Sequence, residues 1–170
     1  MLALAMKYSD LGDNEKAIRY VSRAEELAGK LLPSQEHIYV VQIWLQKVEI
    51  LLKKLKLAEE EEFLEVIEIA RATKDLAIKI FGDKTLLSND TMLTYAMTLT
   101  KVQDRLEESK KWFDRAEAQF EVINNEVPFN SSCNLMFNML LHYNLKLNEF
   151  STTVDFEKRN QVVERLQVQS

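Results

Sequence analysis

Ala24, Ala70 and Ala116 fall at one fixed spacing of 46 residues along the chain. The same step joins Val21, Ile67 and Phe113, and it joins Tyr20, Val66 and Trp112. Three stretches therefore carry one pattern of small and large apolar residues. A fixed period in this range marks a stacked array of helical units, each too small to bury its own apolar face alone. Such arrays present an extended surface to a partner and seldom carry chemistry.

Composition supports that reading. The 170 residues suffice for one repeat domain with a continuous core. Apolar residues make up 46% of the chain, which excludes disorder by composition. Only three Gly and two Pro occur, too few for the turns of a β-protein of this size. The expectation is an all-α fold of antiparallel helix pairs. The net charge of −5 leaves no dominant basic patch and disfavours a nucleic-acid partner. No stretch approaches the roughly 20 apolar residues of a membrane span, so no membrane partner is expected. The apolar run Met1–Met6 is short, and Lys7 follows it rather than preceding it, the reverse of a secretory signal. Cys133 is the single cysteine, read as a small core residue with a reactive or metal-bound thiol as the alternative. The profile suits a reducing compartment, cytoplasmic or nuclear. There the Asn89-Asp90-Thr91 and Asn130-Ser131-Ser132 sequons are read as chance matches.

Periodicity predicts eight helices. Met1, Leu4, Ala5 and Tyr8 have helical spacing, and Gly12-Asp13-Asn14 breaks that helix. Ala17, Val21, Ala24 and Ala28 share one face of the second helix, which Pro33 and Ser34 end. Ser34 is the expected N-cap of a third helix over 35–55, with Val41, Trp44, Leu45, Val48, Leu52 and Leu55 as its main stripe. Near 57–59 either a tight turn or a continuous helix is open. The fourth helix, about 60–81, buries Phe63, Val66, Ile67, Ala70, Ala77, Ile80 and Phe81, and Gly82 is its expected C-cap. Asn89 or Asp90 is the expected cap of the fifth. The sixth starts near Leu106 and is closed by Asn124, Asn125 and Pro128. A seventh is expected over 131–147 and a weaker eighth over 154–166.

These residues resemble the tetratricopeptide repeat (TPR). The first repeat matches best, through Leu4, Ala5, Tyr8, the Gly12-Asp13 turn, Ala17, Val21 and Ala24. Ala5 stands where the family often has Gly, and Val21 where it often has an aromatic. The third keeps Ala96, Phe113 and Ala116 but departs at Thr100 and Ser109. The resemblance covers about residues 1–127. It implies a TPR-like superhelical solenoid with repeats at about 1–33, 34–82 and 89–127 and a weak fourth pair at 131–166. The family's usual unit is about 34 residues, so the helix pairs here are longer. In length they are similar to kinesin light chain repeats or to the TPR-like arrays of fungal meiotic scaffold proteins. Lys7–Asp13, with Ser22-Arg23-Ala24-Glu25, points toward the latter. Members that hold chaperone C-termini use a basic clamp on the inner helices. The matching positions here, Leu2, Met6, Ser9, Thr94, Thr98 and Lys101, include one basic residue, so that role is not implied.

The chain offers no N-cap ahead of Leu2 and no clear polar capping helix at its other end. Either it continues in a longer protein, or a partner covers an end, or its last helix folds back as the cap.

No motif for chemistry emerges. His37 and His142 lie far apart and are read as surface or structural histidines. Zinc spacing, a phosphate-binding glycine loop and a hydrolase elbow are all absent from the sequence. No cofactor and no catalysis are expected. Glu59–Glu62 is read as a solvated first helical turn, or else as a docking patch for a basic segment. Lys53, Lys54 and Lys56 read as an exposed face, and Trp44, Trp112 and Phe113 as core. Met136 and Met139 read as core or as part of an adaptable groove.

The candidate binding site is the inner, concave surface. Helical phase places Leu2 and Met6, Val48 and Leu52, then Thr94, Tyr95, Thr98 and Lys101 on the first helices of successive pairs. Such a groove is apolar in its first half and polar in its second, suited to a partner helix or apolar peptide. The alternative is a shallow groove filled by the chain's own last two helices. The expected function is a non-enzymatic scaffold or adaptor for a protein partner. The alternative is a regulatory sensor whose curvature changes when a short peptide or small ligand binds.

Overall fold

The computed structural model describes residues 1–55 and 60–126. In order they form α1 (Leu2–Asp10), α2 (Asn14–Leu31), α3 (Ile38–Lys54), α4 (Glu60–Phe81), α5 (Leu86–Leu99), a short 3-10 turn (Gln103–Arg105) and α6 (Leu106–Glu126). The described residues are all helix and connection, without a strand. The expected turn at 57–59, the seventh and eighth helices, Cys133, His142, Met136 and Met139 lie outside them.

The helix ends follow local chemistry. Gly12 takes φ +81°, a conformation costly for any residue with a Cβ, and so turns the chain between α1 and α2. Asp13 caps α2 by accepting from the Lys16 backbone N–H at 3.1 Å. The Lys16 ammonium bonds the same carboxylate, and together these hold Asp13 below the usual carboxylate range. Gly82, at φ +75°, closes α4 with its N–H donating to the Ile78 carbonyl at 2.9 Å.

Two expected caps are corrected. Ser34 does not start α3. Its hydroxyl accepts from the Glu36 N–H within the connection, and His37 caps instead, its Nδ1 accepting from the Tyr39 N–H. Nor do Asn89 and Asp90 start α5. Thr85 does, with Oγ1 accepting from the Ser88 N–H at 3.2 Å. Ser88 Oγ reaches back to the Gly82 carbonyl at 2.6 Å, which ties the start of α5 to the end of α4.

Each helix packs on the next in sequence, and the odd helices also touch one another, α1 with α3 and α3 with α5. Three cores result. The first joins Ala5 of α1, Ala17, Val21, Ala24 and Ala28 of α2, and Ile43 and Ile50 of α3. The second joins Val48 of α3, Val66, Ile67 and Ala70 of α4, and Tyr95 and Leu99 of α5. The third joins Met92, Leu93 and Ala96 of α5 with Ala116 and Phe120 of α6. The first helix of each later pair thus enters the core of the pair before it.

The 46-residue step survives in three dimensions. Ala24, Ala70 and Ala116 are all buried, on α2, α4 and α6 respectively. So are Ala17, Phe63 and Ser109, a further set at the same step. Small residues on these helices let their neighbours approach closely, while Val21 and Ile67 fill the intervening space.

Candidate functional site

Helical phase assigns eight residues to the inner face, and the fold divides them. Met6 of α1 is 46% exposed, and its sulfur accepts from Gln46 Nε2 of α3 at 3.0 Å. One turn on, Asp10 of α1 pairs with Lys53 of α3 at 3.1 Å. Leu2 and Leu52 are half-buried, against the first and second cores. Met6 with Gln46, and Asp10 with Lys53, mark a surface along the α1–α3 seam with Leu2 at its margin, whereas Leu52 faces the second core. Lys101 is exposed just beyond the end of α5.

The other four residues are not at the surface. Val48 is fully buried and shares the second core with Tyr95. Thr94, Tyr95 and Thr98 are buried too. The polar second half expected of the groove is therefore packed interior. Thr98 and Thr91 are buried at low cost because each satisfies its hydroxyl on its own helix, whereas the buried Thr94 hydroxyl meets no partner among the described residues. Thr98 Oγ1 donates to the Thr94 carbonyl at 2.7 Å, and Thr91 Oγ1 to the Ser88 carbonyl at 2.7 Å. Buried residues run around the whole of α5, from Met92 and Leu93 to Thr94 and Tyr95. Its threonines act as core residues.

Tyr95 has a polar handle at the edge of that core. Its hydroxyl donates to Glu108 Oε1 at 2.9 Å, and Arg105 holds the other oxygen of that carboxylate at 2.6 Å. Burial, then the Glu108 bond, pushes the Tyr95 phenol up to about 12. Beside it, Lys74 is a buried cation set over the rings of Tyr95 and Trp112, at 5.1 and 3.8 Å from their centroids. Its ammonium also meets the exposed Asp75 carboxylate at 2.6 Å. Lys74 is not among the residues that helical phase assigns to the inner face. The repeat register carries a signal, since Lys74 stands between Ala28 and Phe120 at the 46-residue step and both of those are buried.

Among the described residues there is no cluster of three His, Cys, Asp or Glu side chains able to hold a metal ion. No described helix is long and apolar enough to cross a membrane. Glu25 serves structure, accepting from Trp44 Nε1 at 3.0 Å and pairing with Lys47 at 2.7 Å, which locks α3 onto α2. No family model, curated protein or solved structure matches the chain.

Proposed function

We propose that this chain is a TPR-like helical-repeat scaffold that holds a protein partner without catalysis. One observation carries the reading. Positions 46 residues apart occupy the same buried place on α2, α4 and α6, as Ala24, Ala70 and Ala116 do. A chain that spends its regularity on repeated packing leaves its surfaces free to differ, and recognition lives on those surfaces.

The partner seat is the α1–α3 seam. Leu2 and Met6 supply apolar area there, and the Asp10–Lys53 pair borders it with charge. A flexible methionine beside a glutamine amide adapts to varied side chains. The occupant is an amphipathic helix or an apolar peptide segment, seated over the alanine-lined core of α1, α2 and α3.

The test is affinity capture from native lysate with wild type beside Met6→Glu. Circular dichroism confirms the variant's helicity, which an exposed site preserves. A protein retained by wild type and lost by the variant supports the reading. Equal retention, or no retained protein, overturns it.

A further inference from the structure

The side of α1 turned away from α3 carries an apolar stripe. Met1, Leu4, Tyr8 and Leu11 recur at the three- and four-residue spacing that aligns side chains along one helix face. Met1 is 48% exposed, Leu4 44% and Leu11 71%, while Tyr8 is half-buried and stacked on Tyr20 of α2 at 5.4 Å. Single exposed leucines are ordinary; the helical spacing that lines up Met1, Leu4, Tyr8 and the capping Leu11 along one side of α1 is what marks a surface. Leu4 lies about 200° around the helix from Met6, so this stripe and the α1–α3 seam are separate surfaces.

The register shows what the stripe is shaped for. Forty-six residues beyond Leu4 stands Ile50, and beyond Lys7 stands Lys53. In α3 these two residues dock the second pair onto the first. Ile50 is 3% exposed, sunk into the alanine-lined core of Ala5, Ala17, Ala24 and Ala28. Lys53 reaches the Asp10 carboxylate of α1. Ala96 and Leu99, the next members of both series, are buried as well. Leu4 and Lys7 repeat this docking pair on α1, with no described residue where the alanines and the carboxylate stand for α3. Lys7 is exposed and has no ion-pair partner among the described residues.

We propose that the Met1–Leu4–Leu11 stripe of α1, with Lys7 beside it, docks an amphipathic partner helix that has an alanine seam flanked by carboxylates. The interface continues the chain's own stacking mode. Leu4 fills the space between the partner's alanines as Ile50 does between those of α2. Lys7 meets a partner carboxylate as Lys53 meets Asp10, so the partner helix combines the alanine seam and the carboxylate that α2 and α1 supply separately to α3. A second copy of this chain is a poor occupant, because the α2 alanines that would receive Leu4 are already covered by Ile43 and Ile50. In an antiparallel pairing of two α1 helices centred on the stripe, the two Lys7 ammonium groups also approach each other.

The test uses the full chain and a fluorescent, staple-stabilised helical peptide as long as α2, 18 residues. Its seam repeats the spacing of Ala17, Ala24 and Ala28, with Glu on both flanks. A matched peptide carries Lys on the flanks. Fluorescence anisotropy is expected to show the Glu peptide binding at least tenfold tighter than the Lys peptide. Lys7→Glu is expected to invert that preference, and Leu4→Glu to weaken the Glu peptide at least tenfold. Met6→Glu is expected to leave this binding unchanged, so a failed groove and a failed stripe are told apart. Equal binding of the two peptides, an unchanged preference in Lys7→Glu, or undiminished binding by Leu4→Glu overturns the proposal. So does a wild-type dimer in sedimentation that Leu4→Glu converts to monomer, since a second copy is then the occupant.

Discussion

Lys74 Nζ sits 3.8 Å from the centroid of the Trp112 ring, joining the middle of α4 to α6 across the edge of α5. Tyr95 meets the same tryptophan edge-on, with centroids 5.9 Å apart. A buried ammonium loses hydration, and the ring faces and Asp75 replace part of it. The aliphatic stem fills the place that Ala28 and Phe120 hold in the neighbouring units. Lys74→Met keeps most of that stem and removes the charge. It is expected to destabilise the fold by about 1 kcal/mol, the size of a partly desolvated cation–π contact. Urea unfolding followed by tryptophan emission measures it. A gain in stability instead would mean that desolvation of the ammonium outweighs its attraction to the rings.

Tyr95 gives stability a pH dependence with a definite sign. Its phenol ionises near 10 when unperturbed and is pushed up to about 12 in the fold by burial and the bond to Glu108. Between those values the unfolded chain has released a proton that the folded chain still holds. Stability is therefore undiminished below pH 10 and falls as the pH rises toward 12. The informative quantity is the difference between wild type and Tyr95→Phe, which cancels every contribution the two proteins share. Denaturant midpoints compared at pH ~9 and ~11.5 are expected to show the wild-type advantage shrinking with pH. A constant difference would mean that Tyr95 ionises alike in both states.

Small residues at a long period made the even helices legible. Ala24, Ala70 and Ala116 can recur only where neighbouring helices approach closely, so their spacing reads directly as packing. The inner face was less legible, because α5 has no solvent side to give it a period. Thr94 and Thr98 look polar in sequence, yet Thr98 spends its hydroxyl on the Thr94 carbonyl and packs as an apolar residue. The starts of α4 near 60 and α6 near Leu106 match, but the capping residues of α3 and α5 differ for a related reason. Ser34, Asn89 and Asp90 are all good capping residues by type. Which residue caps depends on tertiary reach, as when Ser88 bonds the Gly82 carbonyl and thereby fixes Thr85 as the cap. On α1, helical phase assigns both Leu2 and Met6 to the inner face, of which Met6 is exposed and Leu2 half-buried, while Leu4 enters through the helical spacing with Met1, Ala5 and Tyr8 and through the repeat match. Its exposure becomes informative once Ile50 is seen buried.

The start of α5 separates two residues that the sequence makes look alike. Thr85→Ala removes the acceptor for the Ser88 N–H and is expected to cost about 1 kcal/mol. Asn89 is buried with neither amide atom hydrogen-bonded. Asn89→Leu, close in shape and free of that unmet polarity, is expected to raise stability by about 1 kcal/mol or more. Thermal unfolding of both variants checks the pair. The opposite signs, a harmless Thr85→Ala and a costly Asn89→Leu, would restore Asn89 as the capping residue.

The repeat itself predicts a graded series. Ala24, Ala70 and Ala116 are 8%, 2% and 0% exposed, so a larger side chain has progressively less room to turn outward. Replacing each alanine by leucine keeps helix propensity nearly constant. The measured cost is therefore overpacking between helices, about 1–3 kcal/mol per site. Ala24→Leu is expected to be mildest, because its position keeps a path to solvent. Ala116→Leu is expected to be the most severe, with Ala96 and Phe120 sharing its core. Ala70→Leu falls between them, against Val66 and Ile67 on its own helix and Val48 across from it. Chemical denaturation of the three variants gives the order. Three equivalent positions in one packing scheme must all resist enlargement. If any of them accepts leucine without loss, the 46-residue step does not report a common place in the stack.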